Sequence, residues 1–209
     1  MEEKIYEIYR EMGFTNEVCS YAFEIEKELK ERFDELDKIA EFNQMKVIKA
    51  MQENKLSDAH FGMATGYGYT DIGRDKLEEI YASVFKTEAA LVRPQITCGT
   101  HALAIALAGN LRPGDEVLSP VGKPYDTLES VIGIRDAKGS LAEYGITYAQ
   151  VDLLKGDEFD YEGIRNAIND KTRLITIQRS KGYATRKTFS VKEIEKNKLH
   201  HKTKKKMNH

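Results

Sequence analysis

A chain of 209 residues can form one sizeable domain, or one and a half small ones. Its 41% hydrophobic and 32% charged residues are those of a folding, globular chain and exclude disorder over most of the length. The net charge of −2 hides an asymmetry, +5 in the last eighteen residues against −7 in the other 191, so an acidic body excludes a nucleic-acid surface across the whole chain.

The N-terminus, "MEEKIYEIYREMG", has no basic segment leading into an apolar core, so no secretory signal is expected. The longest apolar run, "ALAIALAG", is too short to span a bilayer. With only Cys19 and Cys98, a disulfide framework is not expected, and a cytoplasmic location is the default.

In chain order, residues 2–12 read as a short helix ended near Gly13, and Thr15 as the N-cap of a long helix. The apolar positions of that helix, Val18, Ala22, Ile25, Leu29, Phe33, Leu36 and Ala40, alternate by three and four, the mark of a core or subunit-contact face. A further helix is expected from about Phe42 to Glu53. The loop "LSDAHFGMATGYGYTDIGRD" follows, then a helix in "DKLEEIYASVF" with Leu77, Ile80, Tyr81 and Val84 on one side.

From Ala89 the pattern changes. "AALVRPQI" reads as a short or irregular strand, "HALAIALAGNL" as a helix and "DEVLSP" as a strand. "DTLESVIGI" and "DYEGIRNAIN" read as helices, and "GITYAQVDL" and "TRLITIQR" as strands. Strands alternating with helices predict an α/β fold with a parallel, doubly wound sheet. The expected divisions are a helical segment over 1–56, a partial α/β domain over 57–190 and a divergent, disordered basic tail over 191–209.

Four stretches could carry chemistry. Cys98-Gly99-Thr100-His101 lies between a strand and a helix start, where free backbone N–H groups and the helix dipole favour an anion. Such a turn serves equally as an ordinary cap. "TGYGYTDIGRD" has Gly-x-Gly spacing, but a helix-like segment precedes it where a dinucleotide fingerprint needs a strand. Its Tyr67, Tyr69 and Arg74 could reach an anion, or decorate a surface loop. "VGKPYDT" places Tyr125 past a strand's carboxyl end, where ligands of open α/β sheets bind and an aromatic face can stack on a flat ligand. "QRSKGYATR" brings Arg179, Ser180, Lys181 and Arg186 to the same edge, as anion ligands or as a solvated loop. His60 and His101 lack partners at metal-ligand spacing, so no metal site is expected.

Taken together, "GYGYTDIGRDKLEEIYASVFKTEAALVRPQITCGTHALAIALAGNLRPGDEVL", "GKPYDTLESVIG", "GSLAEYGITYAQVDL" and "IQRSKGYATR" resemble the aluminium resistance protein family. These are bacterial proteins similar to cystathionine beta-lyase and methionine gamma-lyase, and the resemblance covers roughly residues 1–195. It implies N-terminal helices plus the first part of a fold type I large domain, an incomplete three-layer sheet. It also implies a pyridoxal 5'-phosphate cofactor, elimination at a sulfur-containing amino acid, and a homo-oligomer. By the same resemblance Gly99 and Thr100, with Cys98 before them, would receive the cofactor phosphate, Tyr125 would stack on the pyridine ring, and the Tyr67–Tyr69 loop with Arg74 would approach a cofactor phosphate across a subunit interface.

The family's chain is about twice as long. Its covalently bonding lysine and its pyridinium-binding aspartate lie beyond the part seen here, and neither Lys181, Lys187 nor a tail lysine matches the lysine motif. No catalytic residue is therefore assigned. The sequence is expected to leave the family pattern near Glu195, as a frameshift or premature stop would cause, and to be inactive alone. An alternative is a non-catalytic anion-binding or regulatory module whose basic tail binds an acidic partner; another is a lyase that borrows its lysine from a full-length subunit. In fold type I the strands beyond the fourth lie between the fourth and the first, so the strand at Ala89–Ile96 would lack a neighbour and leave backbone groups unpaired. Marginal stability or aggregation follows; a cooperative thermal transition in a monodisperse sample would count against it.

Overall fold

The computed structural model describes residues 2–62 and 71–196, with side chains from Lys4 onward. The chain divides into two units, Met1–Arg93 and Pro94–His209.

The first unit is helical: α1 (Glu2–Glu11), α2 (Asn16–Glu28), α3 (Lys30–Glu53) and α4 (Ile72–Phe85), with a 3-10 turn at Asp58–Phe61. Gly13, at φ +90°, ends the first helix in the left-handed region that glycine enters at no steric cost. Thr15 caps the next, its Oγ1 accepting the Val18 N–H at 3.3 Å. The expected break near residue 41 is not there. It lies at Leu29, whose φ −85° and ψ −3° separate α2 from α3, although its N–H still donates to the Ile25 carbonyl at 2.9 Å and its carbonyl accepts the Phe33 N–H at 3.0 Å. Nothing at Ala40–Phe42 removes a donor or disfavours helical backbone, so α3 runs through. The Asn54 amide then joins α3 to α4, donating to the Ala50 carbonyl at 2.8 Å and to Ser83 Oγ at 2.9 Å. Gly73 lets the start of α4 approach the 3-10 turn; a Cβ there would lie 2.3 Å from the His60 carbonyl oxygen.

The strand expected at Ala89–Ile96 does not form. Glu78 takes its place as a partner, since its carboxylate accepts the Val92 N–H and an Arg93 NH2 bond, each at 3.0 Å. A side chain thus satisfies backbone that would otherwise need a neighbouring strand.

The second unit holds α5 (Gly99–Asn110), β1 (Glu116–Ser119), α6 (Asp126–Ile132), β2 (Thr147–Gln150), α7 (Tyr161–Ala167) and β3 (Thr172–Ile175). The strands form a parallel sheet in the order β2-β1-β3. The connection from β1 to β2 runs one way along the sheet and that from β2 to β3 runs back past β1. Right-handed crossovers then put α6 and α7 on opposite faces. Neighbouring strand residues also point to opposite faces, and Val117 and Leu118 are both 0% exposed, so β1 is covered on both sides. One cluster gathers Val117 with Leu107, Leu128, Ile132 and Ile146; a second gathers Val121, Phe159, Ile164 and Phe189. Glu116 pins the register against β3, its Oε1 accepting from Thr172 Oγ1 at 2.8 Å and Asn169 Nδ2 at 2.9 Å.

The expected disorder over 191–209 does not begin at 191, because residues 191–196 are helical. Ser190 and Glu193 make a reciprocal capping box: Glu193 Oε2 accepts the Ser190 N–H at 2.7 Å, and Ser190 Oγ accepts the Glu193 N–H at 3.2 Å. Donation to the Glu193 carboxylate from the Ser190 hydroxyl, at 2.7 Å, and from the Ser190 N–H, aided by Lys187, holds that carboxyl down at about 2. Ile194 packs on the second cluster, and residues 197–209 lie outside the described residues.

Phe189 is fully buried, with its ring 4.8 Å from that of Phe159. Phe189→Ala is expected to cost about 3–5 kcal/mol in urea unfolding, a large share of a typical domain's roughly 5–15 kcal/mol.

Candidate functional site

The carboxyl ends of β1 and β3 and the start of α5 enclose a cleft of about 380 Å³, lined by Thr100, Ser119, Tyr125, Thr127, Thr176 and Gln178 among others. Open α/β sheets bind ligands at this end of their strands.

Cys98 is the N-cap of α5, in extended backbone, and its Sγ accepts the His101 N–H at 3.4 Å. Gly99 and Thr100 open the helix, where helical geometry gives their N–H groups no acceptor and the dipole adds positive charge. Among the described residues no atom lies within 4 Å of where a Gly99 Cβ would sit, so the backbone there faces open space. Thr100 Oγ1 lies 2.9 Å from Thr127 Oγ1, which joins the first turns of α5 and α6 at the cleft.

The turn after β1 is fixed by its own polar groups. The Gly122 carbonyl accepts from Ser119 Oγ at 2.6 Å and from the Tyr148 hydroxyl at 3.3 Å, and the Gly122 N–H donates to the Val151 carbonyl at 3.0 Å. Burial pushes the Tyr148 phenol up from its ordinary value, so it remains a donor. This turn delivers Tyr125 to the N-cap position of α6. Its N–H donates to Gln178 Oε1 at 2.7 Å, and its ring stacks on Tyr183 with centroids 5.9 Å apart. Hydrogen bonding to Tyr183 raises the Tyr125 hydroxyl, which stays neutral.

Cys98, Gly99, Thr100 and Tyr125 therefore fall within one unit, with Thr100 and Tyr125 on the cleft wall. Tyr67 and Tyr69 lie outside the described residues. Arg74 lies in the other unit, in the first turn of α4, where its side chain is 12% exposed and pairs with Asp71 at 3.8 Å and Asp75 at 3.3 Å.

The "QRSKGYATR" loop is not a set of cations held out to an anion. Arg186 donates to the carbonyls of Gln178, Ser180 and Lys187, and Arg179 Nε donates to the Phe189 carbonyl at 2.8 Å. Burial lowers the Arg186 pKa from its ordinary value. Guanidinium groups here serve the backbone, and Ser180 alone of the four expected residues lines the cleft.

Thr127, Gln178, Ser119 and Tyr148 were not singled out in the sequence. A polar residue at the carboxyl end of a predicted strand, as Gln178 is, was the available signal. His60 and His101 work as local caps, their Nδ1 atoms 3.0 Å from the Ser57 nitrogen and 3.4 Å from the Thr97 nitrogen. Among the described residues no group of His, Cys, Asp or Glu could hold a metal ion, and no helix is long and apolar enough to cross a membrane.

A family model for methionine gamma-lyase matches residues 18–207. That match runs past Glu195, where the sequence was expected to leave the family pattern. The uncharacterized protein YnbB of Bacillus subtilis is 52% identical over 176 residues, which cover 83% of this chain and 42% of the relative. A carbon-sulfur lyase involved in aluminium resistance from Clostridium novyi has a similar structure, with a TM-score of 0.90 and 42% identity over 97% of this chain and 49% of that one. A candidate cystathionine beta-lyase involved in aluminium resistance from Listeria innocua gives a TM-score of 0.84 at 50% identity, over 90% of this chain and 47% of that one. The chain spans somewhat less than half the length of these relatives. Its N-terminal helices and small parallel sheet match the corresponding part of their fold, and the chain belongs to the methionine gamma-lyase family.

Proposed function

We propose that the chain is part of a pyridoxal-phosphate-dependent carbon–sulfur lyase acting on sulfur-containing amino acids, and that the cleft is where it holds the cofactor. The observation that carries this reading is the meeting, in one cleft, of the open first turn of α5 with the ring of Tyr125. The residues fit the group. The N–H groups of Gly99 and Thr100 and the Thr100 and Thr127 hydroxyls would hold the phosphate, with the dipole of α5 offsetting its charge. The neutral ring of Tyr125 would stack on the pyridine ring. When bound, the cofactor supplies the electron sink that elimination of a thiol requires.

The chain's own residues bind and orient in this reading. Among the described residues lining the cleft there is neither a lysine nor a carboxylate, so the described half is read as binding without turnover. Tyr67, Tyr69 and Arg74 are proposed as phosphate ligands offered to a second copy in a homo-oligomer. Arg74 would then exchange part of its pairing with Asp71 and Asp75.

Titration of the protein with pyridoxal 5'-phosphate, followed by its absorbance, tests this. Saturable binding is expected, weakened about tenfold by Thr100→Val and about tenfold by Tyr125→Ala. Dialysis after borohydride treatment should remove the cofactor. Retention on one defined lysine would support a catalytically complete site instead, and no saturable binding would overturn the proposal.

A further inference from the structure

We propose that Arg186 is a positioning residue for the ring of Tyr125, acting through Gln178 and Gly182; the inference rests on the cleft taking a flat, phosphorylated aromatic ligand, as above. Residues 178–182 leave the carboxyl end of β3 with no ladder to hold them. The carbonyls of Gln178 and Ser180 instead converge on Arg186 NH2, each at 2.8 Å, while NH1 donates to the Lys187 carbonyl at 2.9 Å. The guanidinium is itself fixed, with Cζ 4.5 Å from the ring centre of Phe189, which is fully buried. A planar fork with several donors can gather three carbonyls and lie on an aromatic face; a lysine ammonium cannot reproduce that geometry.

The loop gathered in this way touches Tyr125 through Gln178, through Gly182 and, as above, through the stacked ring of Tyr183. Both ends of the Gln178 amide are engaged: Oε1 accepts the Tyr125 N–H at 2.7 Å, and Nε2 donates to the Ser180 carbonyl at 3.1 Å. Gly182, at φ +54°, lies against the ring, and a Cβ there would be 2.7 Å from Tyr125 Cδ2. Arg186 thus holds Gln178, which fixes the backbone of Tyr125, and Ser180, two residues before the glycine at its ring edge. The anion-binding turn of α5 makes no hydrogen bond to this loop among those of the described residues. The open N–H groups of α5 are therefore independent of this loop, and Thr127, two residues past Tyr125, is the link between the two sides, so phosphate capture should respond far less than ring placement.

The test uses Arg186→Lys, Gln178→Leu and Gln178→Glu in the full chain, with pyridoxal 5'-phosphate and inorganic phosphate as probes. The chain has no Trp, so Tyr125→Trp supplies a single fluorescent reporter of ring placement. Arg186→Lys and Gln178→Leu are each expected to weaken pyridoxal 5'-phosphate about tenfold while weakening inorganic phosphate by no more than about twofold. In the reporter background both should raise acrylamide quenching, and Gln178→Glu, which keeps the acceptor for the residue 125 N–H but loses the donor to the Ser180 carbonyl, should fall between Gln178→Leu and the parent. Parallel weakening of both probes, or no change in either, overturns the proposal. Should the unsubstituted protein bind no pyridoxal 5'-phosphate, the functional reading fails and the reporter alone decides the positioning role: unchanged quenching overturns it. Should Arg186→Lys not fold, the Gln178→Leu and Gln178→Glu pair decides, and equal quenching in the two overturns it.

Discussion

The second unit depends on burying both faces of β1. Val117 and Leu118 are adjacent, point to opposite sides and are both inaccessible to water. Such a strand needs hydrogen-bonded neighbours on both edges and apolar cover on both faces. Flanking by β2 and β3 supplies the first, and the two clusters around Leu107–Ile132 and Phe159–Phe189 supply the second. Ser119, next in line and also buried, turns its hydroxyl to the Gly122 carbonyl, so the strand ends in a fixed turn rather than a loose one. The position of Tyr125 follows from that turn.

Around the cleft, polar groups are committed to the backbone before any ligand arrives. Gln178 holds the Tyr125 N–H, Tyr148 and Ser119 hold Gly122, and two arginines hold carbonyls of their own loop. What faces the open space is a helix N-terminus, hydroxyls and an aromatic ring. Under the proposed function, the helix N-terminus and hydroxyls would take the anion and the ring would take the flat ligand attached to it. The result also explains why counting cations in "QRSKGYATR" misleads: a guanidinium beside unpaired carbonyls is drawn to them first.

Much of the fold was legible. Apolar periodicity and caps located every helix named in the sequence, apart from the placement of one break, and the strands at "DEVLSP", "GITYAQVDL" and "TRLITIQR" formed in parallel as expected. Ala89–Ile96 misled because a strand is a pairing as well as a composition, and Glu78 competes for its donors. The interruption at Leu29 has no Gly or Pro to announce it. Ser190 and Glu193 did carry a readable signal, the Ser-x-x-Glu spacing, which a basic composition masked. The apolar stripe of α2 and α3 was read as a core or subunit-contact face, yet Val18, Phe33 and Leu36 are exposed within the described residues, because periodicity states which face is apolar and not what covers it.

The candidate site divides along the same line. Cys98-Gly99-Thr100 and Tyr125 were visible in the sequence because a strand–helix turn and a residue past a strand's end are local features whose chemistry depends on near neighbours. The roles of Thr127 and Gln178 were decided by tertiary structure, and so was that of Arg186, which was visible in the sequence but as an anion ligand or part of a solvated loop. Gln178 meets Tyr125 across 53 residues of chain, and Thr100 meets Thr127 across 27, separations at which no spacing rule operates. The sequence by itself determined most of the elements, the strand–helix turn at Cys98–Thr100 and the placing of Tyr125 past a strand's end, since each follows from backbone donors and short-range pattern. Only the packing of β3 beside β1 decided that these face one cleft, because that requires chain segments distant in sequence to satisfy one another's polar groups, as Tyr125 and Gln178 do.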